Sequence, residues 1–100
     1  MITVSTHVLD LVRGGPANAV PIVLERLEGD WTEVRRGATD ADGRLKDLVP
    51  DGRAGTYRIT FDTAAWFAAT GTKGFYPYVQ VVFEAERGHY HVPLLLGPYG

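Results

Sequence analysis

The 100-residue chain contains no cysteine and a single serine, Ser5. The absence of cysteine excludes disulfides, thiol nucleophiles and cysteine-ligated zinc sites. The lone serine does not lie in a G-x-S-x-G segment, so a serine nucleophile on a strained strand–helix turn is also excluded. A hydrolase with this sequence would have to use water or a threonine hydroxyl as its nucleophile.

The sequence also lacks an excess of charge of one sign and any long apolar run. Ten basic and twelve acidic residues give a net charge of −2, and no basic patch is visible, so we expect no nucleic-acid partner. No segment approaches 18 consecutive apolar residues, and residues 1–4 carry neither a basic segment nor a long apolar run. We therefore expect no membrane span and a cytoplasmic location.

What is present is a succession of short strand patterns with turn residues between them. The predicted strands cover residues 2–10, 20–28, 31–39, 44–48, 56–62, 78–86 and 89–96. One short helix is expected after Thr63 as N-cap, ending at Gly71 and docking through Trp66 or Phe67. Such a pattern predicts an all-β, two-sheet antiparallel β-sandwich with one short helix, in a single domain.

The three histidines are the strongest candidates for chemistry. Period-two alternation places His7 with Thr3 and Ser5 on the face opposite the apolar side of the first strand. The same rule places His89 and His91 together on the outward face of the last predicted strand, about 6.5–7 Å apart. Histidine is the usual general base near neutral pH. Outward-facing Pro93 and Leu95 beside this pair suggest that another subunit covers the face.

Two other interpretations of the histidines remain open. Each could be an ordinary solvated strand residue. His-x-His is also a zinc-ligand spacing, and His7 could supply a third ligand, although neither cysteine nor a paired carboxylate lies nearby in the sequence.

Arg44 follows a turn signal, Asp40-Ala41-Asp42-Gly43, in which Asp-Gly supplies the positive φ that tight hairpins need. By position alone it is most simply a surface arginine after a hairpin. Its functional interpretation is a planar donor for carboxylate, urea-like or enolate oxygens.

Four segments give the chain a recognisable family pattern. They are Ser5-Thr6-His7-Val8-Leu9-Asp10, Thr39-Asp40-Ala41-Asp42-Gly43-Arg44, Phe75-Tyr76-Pro77 and His89-Tyr90-His91-Val92-Pro93-Leu94-Leu95-Leu96. In order and spacing they resemble the 5-hydroxyisourate hydrolase family of transthyretin-like proteins, and the resemblance spans essentially the whole chain.

The resemblance implies a transthyretin-like sandwich assembled as a homotetramer, a dimer of dimers with active sites between dimers. It implies hydrolysis of 5-hydroxyisourate, a purine-derived substrate, to 2-oxo-4-hydroxy-4-carboxy-5-ureidoimidazoline, without metal or cofactor. By motif match the catalytic and substrate-binding residues fall on His7, Arg44 and His91, and His89 falls in a supporting position. Which histidine acts as base is left open.

One departure from the family pattern concerns the C-terminal end. Members usually continue past Pro-Tyr-Gly to a Tyr-Arg-Gly-Ser segment that completes the site and forms the eighth strand. The sequence stops at Gly100, and Gly97 stands where serine is common. We expect a chain of this length to have weakened activity and altered assembly, with the strand through His91 left as an unpaired edge. Two non-catalytic alternatives remain, a small-ligand carrier of the transthyretin kind and an interaction module.

Overall fold

The computed structural model describes residues 1–97, in which eight strands and one helix are found. The strands are β1 (Ile2–Asp10), β2 (Gly15–Pro16), β3 (Pro21–Glu28), β4 (Asp30–Ala38), β5 (Arg44–Leu45), β6 (Gly55–Phe61), β7 (Val79–Ala85) and β8 (Gly88–Leu96). The helix, α1, covers Thr63–Thr70. Pro98, Tyr99 and Gly100, which we expected to end the last strand, lie outside the described residues.

The strands form two sheets, which confirms the predicted two-sheet sandwich. One sheet is antiparallel throughout, in the order β4–β3–β6–β7. In the other, β1 is central, with β8 on one side and the short strands β2 and β5 on the other. The pair of β1 and β8 is parallel, from Ile2 opposite Gly88 to Asp10 opposite Leu96, and is the exception to the expected antiparallel pairing.

The core lies between the inward faces of the two sheets. In β1 the even-numbered residues are buried while Ser5 and His7 are half-buried and Thr3 is exposed, as alternation predicts. From the opposite sheet, strand β6 contributes three fully buried side chains, those of Tyr57, Ile59 and Phe61. Helix α1 packs through both Trp66 and Phe67, which confirms the predicted docking. No helix within residues 1–97 is long and apolar enough to cross a bilayer.

The ends of α1 confirm one cap and correct the other. Gly71 has φ +73 and its backbone N–H bonds back to the last helical turn, as expected of a glycine C-cap. The N-cap, however, is Asp62, whose carboxylate accepts a hydrogen bond from Ala65 N, and Thr63 is the first helical residue. The hydroxyl of Thr63 instead donates to the carbonyl of Tyr76.

The turn before Arg44 is real, but it does not form a hairpin. β4 pairs with β3 in one sheet, while β5 pairs with β1 in the other, so the turn carries the chain across the sandwich. β5 is also shorter than the predicted strand 44–48, because Asp47 adopts a positive φ of 55° that a strand cannot continue through.

A buried arginine, Arg26, anchors one end of the β4–β3–β6–β7 sheet. Arg26 of β3 is only 8% exposed, and its guanidinium donates to both carboxylate oxygens of Asp51 at 3.0 and 3.1 Å. It also donates to Glu28 and to the Tyr57 hydroxyl. These bonds fasten the loop before β6 to the core edge, and the hydrogen bond from Arg26 lowers the pKa of Asp51.

Candidate active site

The candidate site forms on the outward face of the sheet that contains β1, because β1 pairs with another strand on each of its two sides. His7 lies directly opposite Arg44 in the antiparallel pair with β5. Ser5 lies opposite His91 in the parallel pair with β8. Residues opposite each other in a ladder project to the same face, so the two pairings bring His7, Arg44 and His91 to one face although they are far apart in sequence.

These side chains border an open groove of about 640 Å³. Its lining residues are Thr3, Val4, Ser5, Thr6, Arg44, Lys46, Asp47, His89 and His91. The ring of His7 lies beside the groove, with its centroid 6.4 Å from that of His91 and the two planes inclined at 47°. Each of the three predicted site residues therefore lies in or next to one groove.

Arg44 owes its position to the turn that precedes it. One carboxylate oxygen of Asp40 accepts hydrogen bonds from the backbone N–H groups of Asp42, at 2.9 Å, and Arg44, at 3.0 Å. The Arg44 bond is the main reason that the pKa of Asp40 is lowered. Gly43 takes φ +74, and its carbonyl accepts a bond from Val8 N of β1. The turn thus fastens the start of β5 to β1.

Charge in the groove is predominantly positive. Arg44 and Lys46 line it together with one carboxylate, that of Asp47. Within residues 1–97 the Arg44 guanidinium forms no ion pair, so its donors are available to a ligand. A planar guanidinium favours carbonyl or anionic oxygens in pairs.

Hydroxyl groups of β1 alternate with the imidazoles of β8 across the groove floor. The Ser5 hydroxyl forms hydrogen bonds with His91 Nδ1 at 3.0 Å and with His89 Nε2 at 3.3 Å. The Thr3 hydroxyl forms one with His89 Nδ1 at 2.7 Å. Thr3 and Ser5 were not among the residues predicted to form the site. Their shared face with His7 was visible in the sequence, but the pairing that sets them against β8 was not.

A metal interpretation finds no support from the arrangement of the ligand-type side chains. Among residues 1–97, no group of three or more histidine, aspartate or glutamate side chains lies close enough to hold a metal ion. His89 and His91 instead bond to the hydroxyls of Thr3 and Ser5. The groove offers imidazoles beside a guanidinium, which suits proton transfer at a carbonyl whose oxygen is held by Arg44.

The two-sheet sandwich with its histidine–arginine groove defines a transthyretin-like protein carrying a candidate hydrolytic site. The chain belongs to the HIUase/Transthyretin family, whose model matches residues 4–100. It is 43% identical to the 5-hydroxyisourate hydrolase of Salmonella typhimurium over 101 residues, which cover 96% of this chain and 74% of that protein. This confirms the family resemblance seen in the motifs.

Two solved structures are similar across the whole fold. The 5-hydroxyisourate hydrolase of Klebsiella pneumoniae matches with a TM-score of 0.90 at 37% identity, covering all of this chain and 93% of that one. Sea bream transthyretin in complex with thyroxine matches with a TM-score of 0.91 at 36% identity, covering 97% and 88%. An enzyme and a thyroxine-binding protein thus share this architecture, so function has to be argued from the site.

Proposed function

We propose that this protein hydrolyses 5-hydroxyisourate to 2-oxo-4-hydroxy-4-carboxy-5-ureidoimidazoline in the degradation of urate. The observation that carries the proposal is the juxtaposition of His7, Arg44 and His91 on one sheet face. It occurs in a chain with 43% identity to a protein named as this hydrolase.

The proposed reaction uses water as nucleophile, in keeping with the absence of cysteine and of a serine elbow. One histidine of the pair His7 and His91 takes a proton from water as the oxygen attacks C6 of the substrate. Arg44 donates to the substrate oxygen on which negative charge develops. The N1–C6 bond then breaks, and N1 receives a proton from the site. The scheme uses no metal and no cofactor.

A direct assay tests the proposal. Urate oxidase generates 5-hydroxyisourate in solution, and its ultraviolet absorbance decays spontaneously, so we expect the protein to accelerate that decay. H7A, R44A and H91A should each lose most of the acceleration while keeping their circular dichroism. Arg36→Ala, which removes an exposed arginine of β4 on the other sheet, is the control. Decay at the spontaneous rate with the unaltered protein would reject the hydrolase function.

A non-catalytic carrier is the second candidate, because sea bream transthyretin is as similar in fold as the hydrolase structure. The hydrolase function requires His7 and His91, whereas a carrier function does not. A carrier would bind an aromatic ligand such as thyroxine equally well after H7A or H91A, with no effect on 5-hydroxyisourate decay. Titration of tryptophan fluorescence with thyroxine, in the unaltered protein and both variants, separates the carrier from the enzyme.

We further propose that the protein is a homotetramer arranged as a dimer of dimers. Large apolar side chains are exposed on the isolated chain, among them Tyr78, Val82 and Leu95. Leu95 lies on the same outward face of β8 as His91, so covering this face would also enclose the groove. Native mass spectrometry should give four times the chain mass, and Leu95→Lys should reduce the assembly to dimers or monomers.

The domain assignment and location are part of the same proposal. Residues 1–100 are taken as one domain, so a single cooperative unfolding transition is expected. A cytoplasmic location accords with a chain that contains no cysteine and needs no oxidising compartment, and cell fractionation tests it.

A further inference from the structure

Four side chains of β1 and β8 form a continuous line of hydrogen bonds. In order they are Thr3, His89, Ser5 and His91, joined at 2.7, 3.3 and 3.0 Å. We propose that this line is a proton relay that fixes the tautomer of His91 and moves a proton between its Nδ1 atom and solvent. Ser5 and His89 are its positioning residues. The inference rests on the proposed hydrolysis, with His91 as the base.

The parallel register of β1 and β8 creates the line. Thr3 is opposite His89, and Ser5 is opposite His91, so each hydroxyl faces an imidazole on the same side of the sheet. The ring of His89 has both nitrogens engaged, Nδ1 with Thr3 and Nε2 with Ser5. In His91 only Nδ1 is engaged within residues 1–97, which leaves Nε2 available to a ligand in the groove.

The single hydroxyl proton of Ser5 couples the two imidazoles. When Ser5 donates to His89 Nε2, it has lone pairs left to accept a bond from His91 Nδ1–H. When it donates to His91 Nδ1, it accepts instead from His89 Nε2–H. In either direction the two neutral rings carry their protons on the same atom, both on Nδ1 or both on Nε2. The pair of rings therefore changes tautomer together.

The two directions give His91 two different functions. With protons on Nδ1, His91 donates to Ser5 and its free Nε2 can accept a proton from water. With protons on Nε2, the same atom becomes a donor that can protonate a departing nitrogen. A shift along the line therefore converts the base into the acid without changing the charge of the ring.

The relay takes up and releases equal numbers of protons during the shift. As water gives a proton to His91 Nε2, the Nδ1 proton passes to the Ser5 oxygen and the former hydroxyl proton of Ser5 passes to His89 Nε2. The Nδ1 proton of His89 then passes to the Thr3 oxygen, and the former Thr3 hydroxyl proton leaves to solvent. One proton enters and one leaves. Thr3 is exposed, so it can exchange with bulk water.

The relay lies among charged and titratable groups of the groove. Arg44 and Lys46 line it, against the one carboxylate of Asp47, and the His7 ring lies 6.4 Å from that of His91. Passing a proton on through Ser5 keeps His91 neutral after it has taken the proton of water.

The first test measures tautomers and needs no substrate. Nitrogen-15 NMR of the histidine rings should show His89 and His91 with their protons on the same ring atom in the unaltered protein. Ser5→Ala should uncouple the tautomers of His89 and His91, so that each ring takes its own mixture of tautomers. Opposite tautomers in the unaltered protein, or spectra unchanged by S5A, would overturn the relay.

The second test measures turnover of 5-hydroxyisourate in the same variants. We expect S5A to reduce kcat at least about tenfold with little change in KM, because the relay acts on proton transfer and not on binding. Ser5→Thr keeps a hydroxyl and should restore kcat to within about threefold of the unaltered protein. Thr3→Val should have a smaller effect, and Thr56→Val on β6 of the other sheet should have none.

The solvent isotope effect supplies a readout that a merely structural role would not change. In mixtures of light and heavy water, kcat of the unaltered protein should follow a curved dependence on deuterium content, since several protons move together. The dependence should become linear in S5A. An active protein whose S5A variant matches it in kcat and in this curve overturns the relay alone. A protein without hydrolase activity overturns the proposed function and the relay with it.

Discussion

His7 and Arg44 are direct cross-strand partners, one on β1 and the other on β5, so their side chains leave the sheet on the same side. Opposite residues in an antiparallel pair have their Cβ atoms about 4.5–5.5 Å apart. In the proposed reaction one substrate ring would contact both the guanidinium and the imidazole, so the geometry of Arg44 should matter as well as its charge.

Replacing Arg44 with lysine should abolish most of the activity although the charge is kept. Lysine offers a point charge in place of a planar pair of donors, so it cannot hold two substrate oxygens in the same plane. We expect kcat/KM for 5-hydroxyisourate to fall about 10²-fold or more, the scale of losing an oxyanion donor. Arg36→Lys is the matched control. Equal kinetics in R44K and the unaltered protein would contradict the role of Arg44.

We expect the Asp40 carboxylate to hold Arg44 in position, because it accepts hydrogen bonds from the backbone N–H groups of Asp42 and Arg44. Asp40→Ala removes the acceptor for both turn N–H groups and should lower kcat/KM about tenfold, whereas Asp40→Asn keeps an acceptor oxygen and should lower it less. Asp42→Ala, which removes the other carboxylate of the turn, is the control. A D40A enzyme as active as D42A would show that the turn does not position Arg44.

Asp40 should also contribute to the acid sensitivity of folding. The hydrogen bond from Arg44 N lowers the pKa of Asp40 in the folded protein. Its contribution to stability is therefore complete above the unfolded pKa, about 3.9, and is lost as the pH falls through the lower folded value. Urea unfolding between pH 2 and pH 6 should show a flatter acid decline in D40N than in the unaltered protein. Parallel declines would contradict the prediction.

Gly43 is expected to be intolerant of any side chain. A Cβ at this position would lie 2.4 Å from the carbonyl oxygen of Val8, and the residue has φ +74. Gly29 has the same φ and no atom within 4 Å of its Cβ position, so Gly29→Ala carries the backbone strain alone. We expect G29A to cost about 1 kcal/mol and G43A about 3 kcal/mol or more in urea unfolding. Equal losses of unfolding free energy in G29A and G43A would mean that β1 shifts to accommodate the new Cβ beside the Val8 carbonyl.

Arg26 and Arg36 should differ sharply in their effect on stability. Arg26→Ala removes a mostly buried side chain together with its hydrogen bonds to Glu28, Asp51 and the Tyr57 hydroxyl, and should lower the free energy of unfolding by about 2 kcal/mol. Arg36 forms an exposed ion pair with Glu33, so Arg36→Ala should change stability little. Thermal and urea unfolding of the two variants gives the comparison. Similar midpoints would contradict the assignment of Arg26 as a structural anchor.

Much of the fold could be predicted because strand alternation is a local property. The buried faces of β1 and β6, the outward placement of His91 and the docking of α1 through Trp66 all follow from patterns of a few residues. The predicted turn before Arg44 was correct in conformation, yet its connection was wrong. A turn signal specifies backbone angles and does not say which sheet the next strand joins.

The pairing between distant strands could not be predicted from such patterns. The parallel contact of β1 with β8 is long-range, and it is this contact that sets Ser5 against His91. The alternation of β1 placed Ser5 on the same face as His7, but it could not reveal the contact with His91, because the two residues are 86 positions apart. Strand alternation made His7 and His91 candidates, motif resemblance strengthened Arg44 and assigned the catalytic roles, and those roles stay predictions.

The pairing of β1 with β8 has a consequence for the order of events during synthesis. β1 leaves the ribosome before its long partner strand β8, which is completed only after the intervening strands and the helix. Contacts of such separation form slowly. A nascent or clipped molecule without β8 would lack His91, the hydroxyl–imidazole line and one wall of the groove. With His91 acting as proposed, turnover would report on completed assembly of the sheet, and chains that lack β8 would not turn over substrate.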